Sequence, residues 1–333
     1  MRVVVCREYA PPESLVVEER PSSPLGTGQV RVRVTASGVN FVDGLIVQGR
    51  YQVRPPVPFV PGNEVAGVVT EVAPDVDGAV TGLTVGRRVM GIVGFGGFAT
   101  EVVLPARAVV PSPERLTDTQ AATFMQSYMT ARFALVHRAR ARAGERLLVL
   151  GAGGGVGLAA VDVGRSLGLR VLAAASSTDK RDLARSKGAD ECVDTAGDIA
   201  EVTSRLKDTA RAWGGGGVDL VYDPIGGALA ETALRTLVDD GQYLVVGFAA
   251  GEIPRLPANH ILLRNRRVTG VDWGGWIGAH QAENRQMLLD LCAAVDRGEL
   301  HPVEPTVYRF DDAGVALRDQ LERRVVGKSV LVA

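Results

Sequence analysis

The chain's 333 residues include 37 basic and 38 acidic side chains, a net charge of −1, with 46% apolar and 23% charged residues. That length suggests two domains, the composition excludes a disordered chain, and the balanced charge leaves no field to draw the protein to nucleic acid or a membrane surface. Neither the opening MRVVVCREY nor any later run is apolar for long enough to be a signal peptide or a membrane span, so a cytoplasmic protein is expected.

Residues 1 to about 115 read as short strands broken by Gly and Pro. Val30, Val32, Val34 and Ala36 alternate with Arg31, Arg33 and Thr35, and strand-like runs follow at 65–72, 88–93 and 99–104. Many short strands with turn signals predict a compact, barrel-like β domain, with PPVPFVPG (55–62) as an ordered loop at its rim. At Thr117 the texture changes: Thr117 and Gln120 have capping-box spacing, and Ala121, Phe124, Met125, Tyr128 and Phe133 recur at helical intervals.

From Arg146 to about Val271 strands and helices alternate, with strands expected at 147–150, 171–175, 191–193, 218–222, 243–246 and 268–271. That alternation gives a parallel sheet covered on both faces, a doubly wound nucleotide fold. Its centre is LLVLGAGGGVG (147–157). A buried strand breaks into a glycine turn, and a helix follows with Val156, Ala159, Ala160, Val163 and Leu167 on its apolar face. Ala152, Gly154 and Gly157 fill the G-x-G-x-x-G positions, and the N–H groups of Gly155, Val156 and Gly157 open the helix toward a pyrophosphate, so a dinucleotide is expected here. WGGGG (213–217) lacks a phosphate-loop lysine and reads as a flexible connection. Residues 281–297 form an amphipathic helix with Met287, Leu288, Leu291 and Val295 inward, and the tail gives strand, helix and strand, belonging to either domain.

Cys6, Cys192 and Cys292 are too scattered for a disulfide frame or a cysteine-rich zinc site, and His137, His260, His280 and His301 have no ligand spacing. No metal is expected.

Taken in order, GVNFVDGLIVQGRY (38–51), VPGNEVAGVV (60–69), GGFATEVVLPA (96–106), GAGGGVGLAAV (151–161), GAD (188–190), YDPIGG (222–227), VVGFAAG (245–251) and VDWGGW (271–276) resemble the zinc-free medium-chain dehydrogenases/reductases of the quinone oxidoreductase, zeta-crystallin-like, family. The resemblance covers nearly the whole chain. It implies a Rossmann domain at 117–268 and a GroES-like β-barrel substrate domain made of 1–116 and completed by 269–333, with the nicotinamide in the cleft between them. It also implies a homodimer formed through an edge strand near 268–271. Where zinc-dependent relatives place metal ligands this chain has Val39 or Asn40, and Asn63, none of which replaces a thiolate or imidazole.

For the cofactor, no acid stands at the tip of the second strand, where Ser176, Ser177, Thr178, Asp179, Lys180 and Arg181 follow. Lys180 matches the family's phosphate-binding lysine and Ser176 and Ser177 offer donors, which implies NADPH; the alternative, that Ser177 or Thr178 caps a helix and Lys180 is solvated on its first turn, is compatible with binding. The family's tyrosine near the third strand's end is replaced by Asp194 and Thr195. Arg323 and Arg324 resemble a further phosphate contact or are surface charges, Thr130 resembles a residue beside the nicotinamide, and Phe248 and Trp273 follow strands at the sheet's carboxyl edge.

Asn40 and Tyr51 match polar positions of the family's substrate pocket, as groups that orient or polarise, with Asp43 in a supporting network; alternatively Asn40 holds a turn, Tyr51 packs and Asp43 caps. Leu45, where relatives often carry a tyrosine, makes that wall more apolar. The resemblance thus implies hydride transfer from NADPH to a quinone or an activated carbon–carbon double bond. Enoyl-thioester reduction is the alternative, with Arg264, Arg266 and Arg267 as a cationic entrance. A non-catalytic nucleotide- or RNA-binding protein would rest only on Arg138, Arg140, Arg142 and Arg146, so no nucleic acid partner is expected.

Overall fold

The computed structural model of the chain describes residues 1–332, with the backbone alone at 79 and 80. Fifteen strands run through it among these residues. The first seven are β1 (Arg2–Val5), β2 (Val16–Glu19), β3 (Gln29–Val39), β4 (Glu64–Val72), β5 (Arg88–Ile92), β6 (Glu101–Pro105) and β7 (Val109–Pro111). Six follow in alternation with helices: β8 (Arg146–Leu150), β9 (Arg170–Ala175), β10 (Glu191–Asp194), β11 (Val218–Asp223), β12 (Leu237–Val245) and β13 (Arg267–Gly270). The tail adds β14 (Thr306–Arg309) and β15 (Ser329–Val332).

Contacts divide the chain into one unit of Met1–Gln126 with Pro302–Ala333 and a second of Ser127–His301. In the first unit β14, β15, β3, β4, β5 and β7 lie side by side, and β3 also pairs with β6. One edge of β3 is taken by β4; the other is shared, β6 pairing with Gln29–Arg33 and β15 with Ala36–Val39. The alternating valines of β3 point into a core with Val3, Val65, Val69, Leu83, Val89 and Val102. The tail strands therefore return to the β unit.

The second unit is a parallel sheet in the order β10-β9-β8-β11-β12-β13. Numbered from β8, that is 3-2-1-4-5-6, the doubly wound arrangement of Rossmann domains. Leu148, Leu150, Leu172, Val221 and Tyr243 are all buried on one face of it. Helix Gln281–Asp296 buries Met287, Leu288, Leu291 and Val295, the four residues its spacing predicted.

Two expectations change. The boundaries expected at 117 and 268 fall at 127 and 301. Asp118 is ion-paired to Arg88 at 2.7 Å, and Gln120 donates to the Pro302 carbonyl at 3.0 Å, which holds the first helical turn in the β unit. On the other side, Trp276 packs on Phe133 with ring centroids 5.0 Å apart, and the buried Asp162 accepts from Tyr128 Oη at 2.7 Å and from the His301 amide at 2.6 Å. Those contacts tie 273–301 to the nucleotide unit. Second, WGGGG is not a flexible connection. Trp213 ends helix Ile199–Gly214 beneath the Arg170 guanidinium at 4.8 Å, Gly215 closes that helix in the left-handed region (φ 62°), and Gly217 (φ 154°) passes so near the Thr236 carbonyl that a Cβ would sit 2.3 Å from it.

Candidate functional site

The glycine loop is built as a phosphate cradle. Gly154 is the N-cap of helix Gly155–Ser166 and offers no side-chain cap, so the N–H groups of Gly155, Val156 and Gly157 have no acceptor within the helix. They open at the carboxyl ends of the strands, where the positive helix end favours an anion. The three fingerprint positions differ physically. Ala152 is fully buried and its amide donates to Ala174 O at 3.0 Å, fixing the turn. A Cβ on Gly157 would lie 2.3 Å from Gly151 O, so helix and strand are in contact there, whereas one on Gly154 would meet only Gly151 O at 3.6 Å. The space before Gly154 is therefore open to a pyrophosphate, and the cradle fits a dinucleotide.

At the tip of β9, Ser177 Oγ caps helix Thr178–Ser186 by accepting from the Lys180 amide at 3.3 Å. The hydroxyl hydrogen is still available as a donor. Ser176 is exposed and Lys180 half-buried. The Lys180 stem runs across Gly153, where any Cβ would come within 2.5 Å of it, so loop and lysine are packed as one piece. Phe248 is 39% exposed in the loop after β12 and covers Gly226, and Thr130 is buried on helix Met125–Arg132. Trp273 is buried with its indole N–H given to Asn284 Oδ1 at 2.9 Å, which makes it core. Asp223, unnoticed in the sequence, sets the shape of the loop after β11: its Oδ1 accepts from the amides of Ile225 at 2.7 Å and Gly226 at 2.9 Å, and Tyr243 donates to Oδ2.

In the β unit Asn40 sits in a buried ionic cluster. Lys328 Nζ lies 2.5 Å from Asn40 Oδ1 and 3.2 Å from Glu64 Oε1, and Asn40 Nδ2 donates to the same Glu64 oxygen at 3.1 Å. The ammonium has only donors and the carboxylate only acceptors, so the amide has one orientation. Glu64 Oε2 accepts from the Gln126 amide at 2.9 Å, and Gln126 Oε1 accepts from Asn63 Nδ2 at 2.6 Å. The Asn40 amide nitrogen donates to Asp43 Oδ2 at 2.9 Å, opening helix Phe41–Val47. Asn40 thus both holds a turn and belongs to a polar network. Tyr51 packs, half-buried, on the cluster of Val4, Cys6, Val39, Ile46, Val47 and Phe59. Arg323 is exposed in the turn after helix Ala313–Leu321, at φ 58°.

Burial raises the Asp43 carboxyl to about 7 against the opposing Asn40 hydrogen bond, with the Glu64 charge adding to the rise and Lys328 opposing it. Protonated, Asp43 leaves one ammonium matched by one carboxylate; ionised, it leaves a second buried negative charge. An acid whose folded value is raised contributes stability that is complete below its ordinary value near 4 and is lost as pH rises toward 7. Asp43→Asn is therefore expected to remove a stability decline of about 2–3 kcal/mol between about pH 5 and pH 8, read from urea unfolding midpoints. An equal decline in wild type and variant would refute this charge balance.

Four arginines of the two basic runs have partners of their own. Arg266 is buried and donates to the carbonyls of Leu237, Val238 and His260, and Arg264 pairs with Asp239 at 2.8 Å. Arg138 donates to Gly270 O at 2.9 Å and Arg146 pairs with Asp219 at 2.8 Å. Arg267, Arg140 and Arg142 are exposed. Among the described residues, no group of three or more His, Cys, Asp or Glu is placed to hold a metal ion, and no helix is long and apolar enough to cross a membrane.

Comparison with known proteins matches residues 26–114 to the alcohol dehydrogenase GroES-like domain and residues 155–294 to the zinc-binding dehydrogenase family. A curated relative, quinone oxidoreductase-like protein 2 of Bos taurus, is 36% identical over 332 residues, covering 99% of this chain and 92% of that protein. The solved quinone oxidoreductase of Thermus thermophilus, studied also as its complex with NADPH, is 35% identical with a TM-score of 0.84, covering all of both chains. The spectinabilin polyketide synthase system protein NorB of Streptomyces orinoci is 36% identical over 312 residues, 93% of this chain and 13% of that protein.

Proposed function

From the chain's membership of the quinone oxidoreductase family of zinc-free medium-chain dehydrogenases/reductases, we propose that it is an NADPH-dependent reductase of a quinone or of an activated carbon–carbon double bond. The observation that carries the reading is the uncapped helix N-terminus at Gly154 with the Lys180 stem packed on the same loop. NADPH supplies the hydride. The protein's part is to hold the pyrophosphate on the amides of Gly155, Val156 and Gly157, with Ala152 and Gly154 shaping the turn. Ser176, Ser177, Lys180 and Arg323 read the 2′-phosphate, and Thr130 and Phe248 border the nicotinamide.

Asn40 and Tyr51 orient the substrate. Asn40, whose side-chain amide Lys328 and Glu64 hold in one orientation, is the polarising group of that pair. The donor set of the cluster does not suit zinc: Asn63 is bonded to Gln126 and Glu64 to Lys328. Lys180→Ala is expected to weaken NADPH binding about tenfold and leave NADH unchanged, since one charge-assisted hydrogen bond to phosphate is removed. Equal NADPH affinity in variant and wild type would remove Lys180 from the phosphate site.

The likeness to polyketide synthase proteins keeps enoyl-thioester reduction as the second reading. Steady-state rates with a quinone, an enone and an enoyl-CoA separate the two: rates confined to the thioester would favour the second. We further propose a homodimer through β13, whose outer edge pairs with no strand among the described residues, which carries the exposed Val268 (39%) and which follows the exposed Leu262 (76%) and Leu263 (75%). Sedimentation is expected to show a dimer that Val268→Lys dissociates; a wild-type monomer would reject it.

A further inference from the structure

An ion pair bridges the tips of two neighbouring strands beside the glycine loop. Arg181, one residue after Lys180, reaches back so that its guanidinium lies 2.9 Å from Asp194 Oδ1, and it donates to Ala175 O at 3.3 Å and Thr178 Oγ1 at 3.2 Å. Ala175 is the last residue of β9, Asp194 the last of β10, and the two are register partners. The pair is held in place: the Arg181 side chain is 16% exposed and Asp194 35%, and the Ala196 amide donates to Asp194 Oδ1 at 2.8 Å.

In doubly wound dinucleotide folds the residues after the second strand read the adenosine ribose, an acid accepting from a 2′-hydroxyl and a cation meeting a 2′-phosphate. β9 is that second strand, and the residues after it carry Lys180 and Arg181, two adjacent cations. Arg181 has a carboxylate set against it. A phosphate arriving at this tip competes with Asp194 for the same guanidinium, whereas a ribose hydroxyl makes no such demand. The carboxylate therefore acts on one cofactor and not on the other.

We propose that Asp194 is a specificity-determining residue: by occupying Arg181 it holds the preference for NADPH over NADH below what the two cations would otherwise give. This rests on the reading of the chain as an NADPH enzyme. The dissociation constants of NADPH, NADH and adenosine 2′,5′-bisphosphate test it on the full-length wild type, Asp194→Asn, Arg181→Met and the double variant, with thermal melts confirming that each is folded.

Asp194→Asn is expected to tighten NADPH and the bisphosphate about three- to fivefold and to move NADH less than twofold, the size of one partly exposed charge pair. Arg181→Met is expected to loosen NADPH by a similar factor, and in its background Asp194→Asn is expected to change nothing beyond twofold. Asp194→Ala replaces the asparagine variant if the latter melts early. An unchanged NADPH-to-NADH ratio in a folded Asp194 variant overturns the proposal, as does the same tightening in the absence of Arg181. Normal NADPH binding by the wild type in those outcomes confines the failure to Asp194. A wild type that binds neither NADPH nor the bisphosphate sinks both this inference and the cofactor reading.

Discussion

Replacing Lys328 by methionine is expected to destabilise the β unit by about 3–5 kcal/mol, the usual cost of removing one partner from a buried ion pair. Glu64 is 1% exposed and the Lys328 side chain 7%, so water cannot take the place of the ammonium. In this variant Glu64 loses its cationic partner and the Asn40 carbonyl oxygen its donor, leaving the carboxylate charge with amide donors alone. Glu64→Gln alone is also costly, because it leaves a buried cation facing neutral amides. Together, Lys328→Met and Glu64→Gln are expected to recover part of the loss, since no unpaired charge remains. Urea unfolding of the four proteins measures this. A loss below about 1 kcal/mol for Lys328→Met, in the range of a solvated surface pair, would contradict the cluster.

Gly154→Val is expected to cost NADPH at least about a hundredfold in affinity while leaving the fold intact. Gly154 has ordinary extended dihedrals (φ −96°, ψ 165°), and its Cβ would meet nothing nearer than 3.6 Å, so the protein itself accepts a side chain there. The side chain would instead fill the space through which the pyrophosphate reaches the helix amides, removing several hydrogen bonds to a charged group at once. Gly157→Ala provides the contrast. Its Cβ would clash with Gly151 O at 2.3 Å, so stability should fall by about 1–3 kcal/mol along with binding. Melting temperature and NADPH affinity, measured on both, separate a glycine needed by the ligand from one needed by the fold. Equal losses of stability in the two variants would contradict this division.

What the sequence revealed was local. The apolar run, glycine turn and resumed helical spacing at 147–157 form one contiguous pattern, and β8 and its helix follow it. The Thr117 and Gln120 capping box and the four inward residues of helix Gln281–Asp296 are likewise set by neighbours a few positions apart. The polar cluster had no such signal. Lys328 is 288 residues from Asn40 and 264 from Glu64, and a lysine at the start of an apolar strand reads as a solvated end. Only the return of β15 alongside β3 brings them together. The same holds for Arg266, which looked like part of a surface charge run and proves to hold the carbonyls around β12. The boundary at 301 was hidden because composition does not change there; the tie between Asp162 and the His301 amide spans 139 residues. WGGGG misled for another reason. Glycines signal freedom of φ, and in this protein that freedom is used to fix one helix end and one close approach.

The most direct test of a reduced nicotinamide cofactor seated on the Gly154 helix terminus is a titration of purified protein with NADPH, followed by nicotinamide fluorescence, in wild type and Gly154→Val side by side. A saturable rise in the wild type, absent from a variant with an unchanged melting temperature, is the predicted outcome. No saturable complex in the wild type, or equal binding by the folded variant, would contradict it.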